Sequence, residues 1–128
     1  MGIDYGTRRI GIAVSNPEGS IALPRTTIEV ESEADAVRGV KKIIREEKIE
    51  TVVVGLPSAA DGTDTEQTRV TRAFIEKLAV EAMVPVEPED ELLTSRMARA
   101  SGMENGHIDA ASAALILQSF LDRMCPKH

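Results

Sequence analysis

Residues 51–55 read Thr-Val-Val-Val-Gly. Successive side chains of a strand point to opposite sides, so a run of β-branched apolar residues has no polar face to offer water. Both of its sides must be covered. That is the pattern of a parallel strand inside a sheet with helices on both faces, and it restricts the chain to α/β architectures.

The flanking sequence supplies the other layers. Residues 1–5 and 9–15 alternate apolar and small side chains about a Gly-Thr pair and predict a tight hairpin. A third strand is expected within 20–30, where Pro24 places it at an edge or a bulge. "SEADAVRGVKKIIREEK" predicts a helix capped by Ser32, with Asp35 three residues on and Val37, Val40, Ile43 and Ile44 on one face. A second helix is expected over roughly 64–82, striped by Val70, Phe74 and Leu78, followed by a strand in "MVPVEP", 83–88. "DELLTSRMARAS" predicts a short helix, and a last, deeply packed helix runs from about 108 to 123. An antiparallel opening followed by βαβ units makes a mixed sheet flanked by helices, in a single domain over residues 1–128.

Composition narrows the function classes. With one Tyr, two Phe and no Trp, the chain cannot build a base-stacking platform of several rings. Cys125 is the one cysteine, which excludes an internal disulfide and a multi-cysteine zinc site and suits a reducing compartment. No signal peptide or membrane-spanning run is read, so a cytoplasmic protein without membrane contact is expected. The net charge of −6 is the wrong sign for a protein that binds nucleic acid through a global positive field. Any such binding has to be local.

Against this background Asp4 stands out, a carboxylate within or at the end of the first strand. Asp90 and Glu91 follow the strand at 83–88, and Asp109 falls in the first turn of an otherwise apolar helix. Open α/β sheets place their sites at the carboxyl ends of strands. Carboxylates gathered there from separate elements repel one another unless a divalent cation neutralises them, and hard oxygen donors suit Mg²⁺ or Mn²⁺. Taken singly, Asp4 also suits a cap for the hairpin turn, Asp90 a helix cap and Asp109 a partner for a helix dipole. Glu91 is therefore preferred to Asp90 as a metal ligand.

"VVVGLPSAADGT" is a second candidate: a buried strand, a Gly-Leu-Pro turn and Asp-Gly-Thr before a helix, offering backbone N–H groups to an anion. It lacks the Gly-Lys-Ser/Thr of a P-loop, and a lone turn of this kind also serves simply as a turn. Arg9 lies within reach of a phosphate near Asp4, while Arg96 and Arg99 share a helical face. His107 and Cys125 are read as an exposed residue and an inert thiol.

Four ordered stretches together resemble the YqgF/RuvX family of RNase H-like proteins. "IDYGTRRIGIAVS" is similar to the family's opening motif at Asp4, Gly6, Arg9, Gly11 and Ser15, and "VVVGLP…DGT" at Gly55, Leu56, Pro57, Asp61, Gly62 and Thr63. "DELLTS" resembles the family's Asp-Glu-Arg-Leu-Thr-Thr, and "IDAASAALILQSFL" its closing helix with Asp109 as the acid. The resemblance implies an RNase H-like fold and metal-dependent phosphodiester hydrolysis. Asp4, Glu91 and Asp109 would be the catalytic carboxylates holding one or two Mg²⁺ or Mn²⁺ ions. Arg9 and the loop residues Gly55, Leu56, Pro57, Gly62 and Thr63 would position substrate. Three features depart from the pattern: Leu92 stands where the family usually has Arg, Asn16 where Asp often follows Ser15, and the segment 96–108 is short.

The leading expectation is a nuclease that processes the 5′ end of pre-16S rRNA in ribosome biogenesis. A dimeric Holliday junction resolvase acting on branched DNA is the enzymatic alternative, so the chain is expected to be a monomer or a homodimer. A catalytically weak module that binds nucleic acid or protein is the alternative of a different class, favoured by Leu92 and the acidic charge. "DYGT" also resembles the phosphate loop of actin-like ATPases, which need a second domain that this length does not hold.

Overall fold

The computed structural model describes residues 1–57, 64–90 and 105–124, the last stretch with its side chains from residue 110 onward. The predicted hairpin is β1 (Gly2–Tyr5) and β2 (Arg9–Ser15), antiparallel, with Asp4 opposite Gly11 and Gly2 opposite Ala13. Its turn is tight: a Cβ at Gly6 would lie 2.6 Å from the Arg9 carbonyl oxygen. The third strand, β3 (Ala22–Glu29), forms an edge of the sheet, and its register with β2 shifts between Ile12 and Ala13, where Ala13 faces Pro24. Proline has no N–H for a ladder, and here it occupies both an edge strand and an irregularity.

Helix α1 (Glu33–Glu47) begins as predicted, with the Asp35 N–H donating to Ser32 Oγ. It ends at Lys48, which adopts the left-handed conformation and donates its N–H to the Ile44 carbonyl. Strand β4 (Val52–Leu56) is the all-apolar run. It pairs in parallel with β1 on one side and with β5 (Val86–Asp90) on the other, giving the order β3-β2-β1-β4-β5. Helices α2 (Glu66–Ala82) and α3 (Asn105–Met124) complete the described residues.

Two apolar layers sandwich the sheet. Ile3, Tyr5, Ile10, Ile12, Val52 and Val54 face α1 and α2, where they meet Val37, Val40, Phe74 and Leu78. The Tyr5 and Phe74 rings stack with centroids 4.1 Å apart. On the other face Ala13 and Val53 meet Ala113, Ile116, Leu117 and Phe120 of α3. Helix α3 comes down hard on β1, since a Cβ at Gly2 would lie 2.6 Å from the Ala113 carbonyl oxygen and 2.7 Å from Leu117 Cβ.

One strand sits later than expected. Met83, with φ 62°, closes α2, so β5 starts at Val86 and ends at Asp90 instead of spanning 83–88. Asp90 is thus the last residue of a strand and not a residue beyond it. The helix expected from "DELLTSRMARAS", together with Leu92, Arg96 and Arg99, lies outside the described residues, as does Cys125.

Candidate active site

Because side chains alternate along β1, the burial of Ile3 and Tyr5 against α1 and α2 assigns Gly2 and Asp4 to the α3 face. Asp4 is half-buried there. Across the hairpin its partner is Gly11. On the other side the last β1–β4 pair is Ile3 with Val54, so one further step brings Asp4 level with Gly55. The carboxylate therefore stands on the central strand between two positions without side chains.

Helix α3 supplies the roof. Ala113 and Leu117 lie over Gly2, and the Phe120 end of the helix lies near Met1 and Ser15 at the opposite end of the sheet. The helix thus runs against the direction of β1, and its backbone at position 109, one turn before Ala113, lies toward the carboxyl end where Asp4 sits. The side chain of Asp109 lies outside the described residues, as do His107, Glu91, Gly62 and Thr63.

Arg9 opens β2 two residues before Gly11, so the strand's alternation assigns it to the same face as Asp4; it is half-buried and pairs in register with Glu29. Beside it, Thr7, Arg8, Arg9, Glu29, Glu31 and Asp35 line an open groove of mixed charge. Asp90 pairs with Leu56, and both belong to the alternate set that includes Val52 and Val54. Asp90 consequently lies on the face away from Asp4.

The loop after β4 is held at both described ends. Thr68 Oγ donates to the Pro57 carbonyl at 2.6 Å, while Thr65 and Thr68 cap each other's backbone N–H groups. Gln67 Nε2 donates to the Tyr5 carbonyl at 3.2 Å, tying the start of α2 to the end of β1. Before that helix, Arg72 donates to Asp64 at 2.8 Å, and this hydrogen bond holds the Asp64 carboxyl below its ordinary pKa. Gly55, Leu56 and Pro57 thus lie at one sheet edge with Asp4 and Arg9.

Asn16, one of the departures in sequence, lies at the far end of the sheet. Its Oδ1 accepts from the N–H groups of Ser20 and Ile21 at 2.9 and 3.0 Å, closing the turn between β2 and β3. That is ordinary turn chemistry for Asn, remote from Asp4.

A residue that the sequence reading passed over is Glu89. It is 5 % exposed, the only charged side chain in the interior among the described residues. Its neighbours in "EPEDE" suggest a solvated strand end, and only the structure shows it opposite Gly55 and under α3. Among the described residues no three carboxylate, histidine or cysteine side chains gather as a cation site. None of the described helices is long and apolar enough to cross a membrane.

The fold is similar to that of solved RuvC structures. Thermus thermophilus RuvC matches with a TM-score of 0.59 at 17% identity, covering 96% of this chain and 94% of that one. The same protein in complex with a Holliday junction substrate matches with a TM-score of 0.59 at 20% identity, covering 97% and 94%. The mixed sheet and its flanking helices are thus an RNase H-like fold. In sequence, a Rickettsia canadensis protein is 38% identical over 95% of this chain and 84% of its own length. Proteins from Nitratidesulfovibrio vulgaris and Dechloromonas aromatica are 40% and 39% identical, covering 95% and 100% of this chain and 92% of their own. All three carry the name "Putative pre-16S rRNA nuclease". The model of the family described as "RuvX: Holliday junction resolvase" matches residues 1–123, and with identities of this size along nearly the whole length, the chain belongs to the RuvX family.

Proposed function

We propose that this chain is one nuclease domain over residues 1–128 that hydrolyses phosphodiester bonds with the help of Mg²⁺ or Mn²⁺, and that its substrate is the 5′ end of pre-16S rRNA in the cytoplasm. The observation that carries the reading is Asp4: a half-buried carboxylate on the central strand, between Gly11 and Gly55, at the carboxyl end of the parallel strands. The names of the relatives support the substrate, and the RNase H-like fold supports the chemistry.

The donor set fits a hard divalent ion, with Asp4, Glu91 and Asp109 as the residues that would hold it. The strand register supports Glu91 over Asp90, which lies on the other face of β5. Such an ion supplies an acidified water and charge neutralisation for an in-line displacement. The chain's own part is positioning. Asp4 is fixed by a β1 ladder paired on both sides, Arg9 brings a guanidinium to the same face, and α2 is anchored at its start to the ends of β1 and β4. Arg9 is suited to a non-bridging phosphate oxygen, which a planar fork of donors grips in one orientation.

Cleavage of a labelled pre-16S 5′ segment and of a four-way DNA junction, each with Mg²⁺, Mn²⁺ or EDTA, tests the reading with wild type beside Asp4→Asn. Metal-dependent cutting of the RNA, lost in Asp4→Asn, is the expected result. Preferential cutting of the junction supports a resolvase, the second reading, which the likeness to RuvC bound to a junction favours. That role needs two sites related by symmetry, so sedimentation would then show a dimer. Binding without cutting of either substrate overturns the nuclease and leaves a binding module.

A further inference from the structure

Glu89 lies on β5 with its carboxylate turned toward α3. Ser119 Oγ donates to its Oε2 at 2.9 Å, and Arg123 Nη1 lies 2.8 Å from Oε2 and 2.7 Å from Oε1. A single guanidinium nitrogen lies close to both oxygens, and among the described residues Oε1 accepts no well-aligned hydrogen bond. The Arg123 side chain itself is largely exposed and lies over the Phe120 ring, 5.7 Å from its centroid.

Stability alone does not account for this arrangement. Desolvating a carboxylate against one nitrogen and one hydroxyl is seldom better than burying an apolar side chain of like volume, and replacing such pairs by apolar residues is often neutral or stabilising. What the pair does provide is a fixed relation between two elements. Helix α3 packs chiefly over β2, β3 and β1 and meets β5 only at its fringe. Glu89 supplies the directional bonds between α3 and that edge strand. It precedes Glu91 by two residues, and the helix it grips is the one that carries Asp109.

We infer that Glu89 is a positioning residue, which clamps β5 to α3 through Ser119 and Arg123 and so fixes how α3 lies over the face of the sheet that carries Asp4. The inference rests on the metal-dependent reading above. It assigns to Glu89 no contact with the ion or the substrate. Its effect is on how tightly an ion is held.

The test measures Mn²⁺ binding directly, by electron paramagnetic resonance of free Mn²⁺ and by calorimetry, in wild type, Asp4→Asn and the apolar pair Glu89→Leu with Arg123→Met, together with thermal melts. Wild type binds Mn²⁺ and Asp4→Asn loses it if the metal reading holds; a wild type that binds none overturns both that reading and the clamp. The apolar pair is expected to melt at or above the wild-type temperature yet bind Mn²⁺ about tenfold more weakly, the scale on which removing an orienting partner acts. Glu89→Gln, which keeps an acceptor for Ser119, covers the case in which the pair does not fold, and is expected to weaken Mn²⁺ binding in the same direction. Binding within about twofold of wild type in a folded variant overturns the proposal and leaves Glu89 a structural residue.

Discussion

Beneath α1 and α2 the sheet presents Ile3, Ile10, Ile12, Val52 and Val54, closed over by Phe74, Leu78 and Val40, all fully buried. Beneath α3 it presents Gly2, Gly11, Ala13, Val53 and Gly55, with Asp4 and Glu89 among them. The first face is filled by large apolar side chains in the manner of any stable interior. The second has small residues where the first has large ones, so the helix sits close over Gly2, and a half-buried carboxylate shares that face. The larger apolar contacts lie on one side of the five-stranded sheet, and both Asp4 and Glu89 lie on the other.

Substitutions on the two faces should therefore separate activity from stability. The largest effect is expected for Asp4→Asn, which leaves the protein folded but lowers the cleavage rate on the order of 10³-fold, equivalent to about 4 kcal/mol; single-turnover kinetics would check it. Phe74→Ala should do the reverse. It removes a fully buried ring and its stacking on Tyr5, lowering unfolding free energy by about 3–5 kcal/mol in urea titrations. If Phe74→Ala abolished Mn²⁺ binding under folding conditions, the division between faces would be wrong.

A third expectation concerns neither face but the amino end of β1. The α-amino group of Met1 donates to the Thr51 carbonyl at 2.9 Å, and burial lowers its pKa from 8.0 to about 6. A depressed amine pKa means that between those values the unfolded chain holds a proton that the folded chain has released. Stability then rises as pH rises from 6 to 8, by up to about 2–3 kcal/mol from this group. Urea midpoints at pH 6 and 8 would show the rise, and α-amino acetylation should remove this group's share. Smallest is Gly2→Ala, where the added methyl meets the Ala113 carbonyl and Leu117. Overpacking there should cost about 1–2 kcal/mol and, by lifting α3, weaken Mn²⁺ binding as well. Gly2→Ala is the sharpest test of the comparison, since it perturbs packing on the side that carries Asp4.

Much of this was legible locally. Ser32 announced α1, the Gly-Thr turn announced the hairpin, and Val52–Val54 announced a strand covered on both sides. Asp4 could be singled out because a carboxylate in an apolar run contradicts its surroundings. Strand β5 was expected to start three residues too early and end two too early because "MVPV" is apolar while "VEPED" is not. An edge strand at a sheet margin is held by its ladder with β4, which hydropathy does not report. Glu89 was invisible for a related reason: nothing in "EPEDE" distinguishes the carboxylate that α3 covers from those that water covers. Only the three-dimensional path of a helix some thirty residues later decides it.

The central place of β1 also bears on how the chain is made. Its pairing with β2 closes a loop of a few residues, but its other edge waits for Val53 and Val54, about fifty positions downstream. Contacts of such separation form late, because the loop must close before they reward it. During synthesis the hairpin therefore emerges with the open backbone edge of β1 exposed until α1 and β4 have followed. In that interval β1 is a ready template for another strand, so this nascent chain is most vulnerable to misassociation along the same strand that presents Asp4.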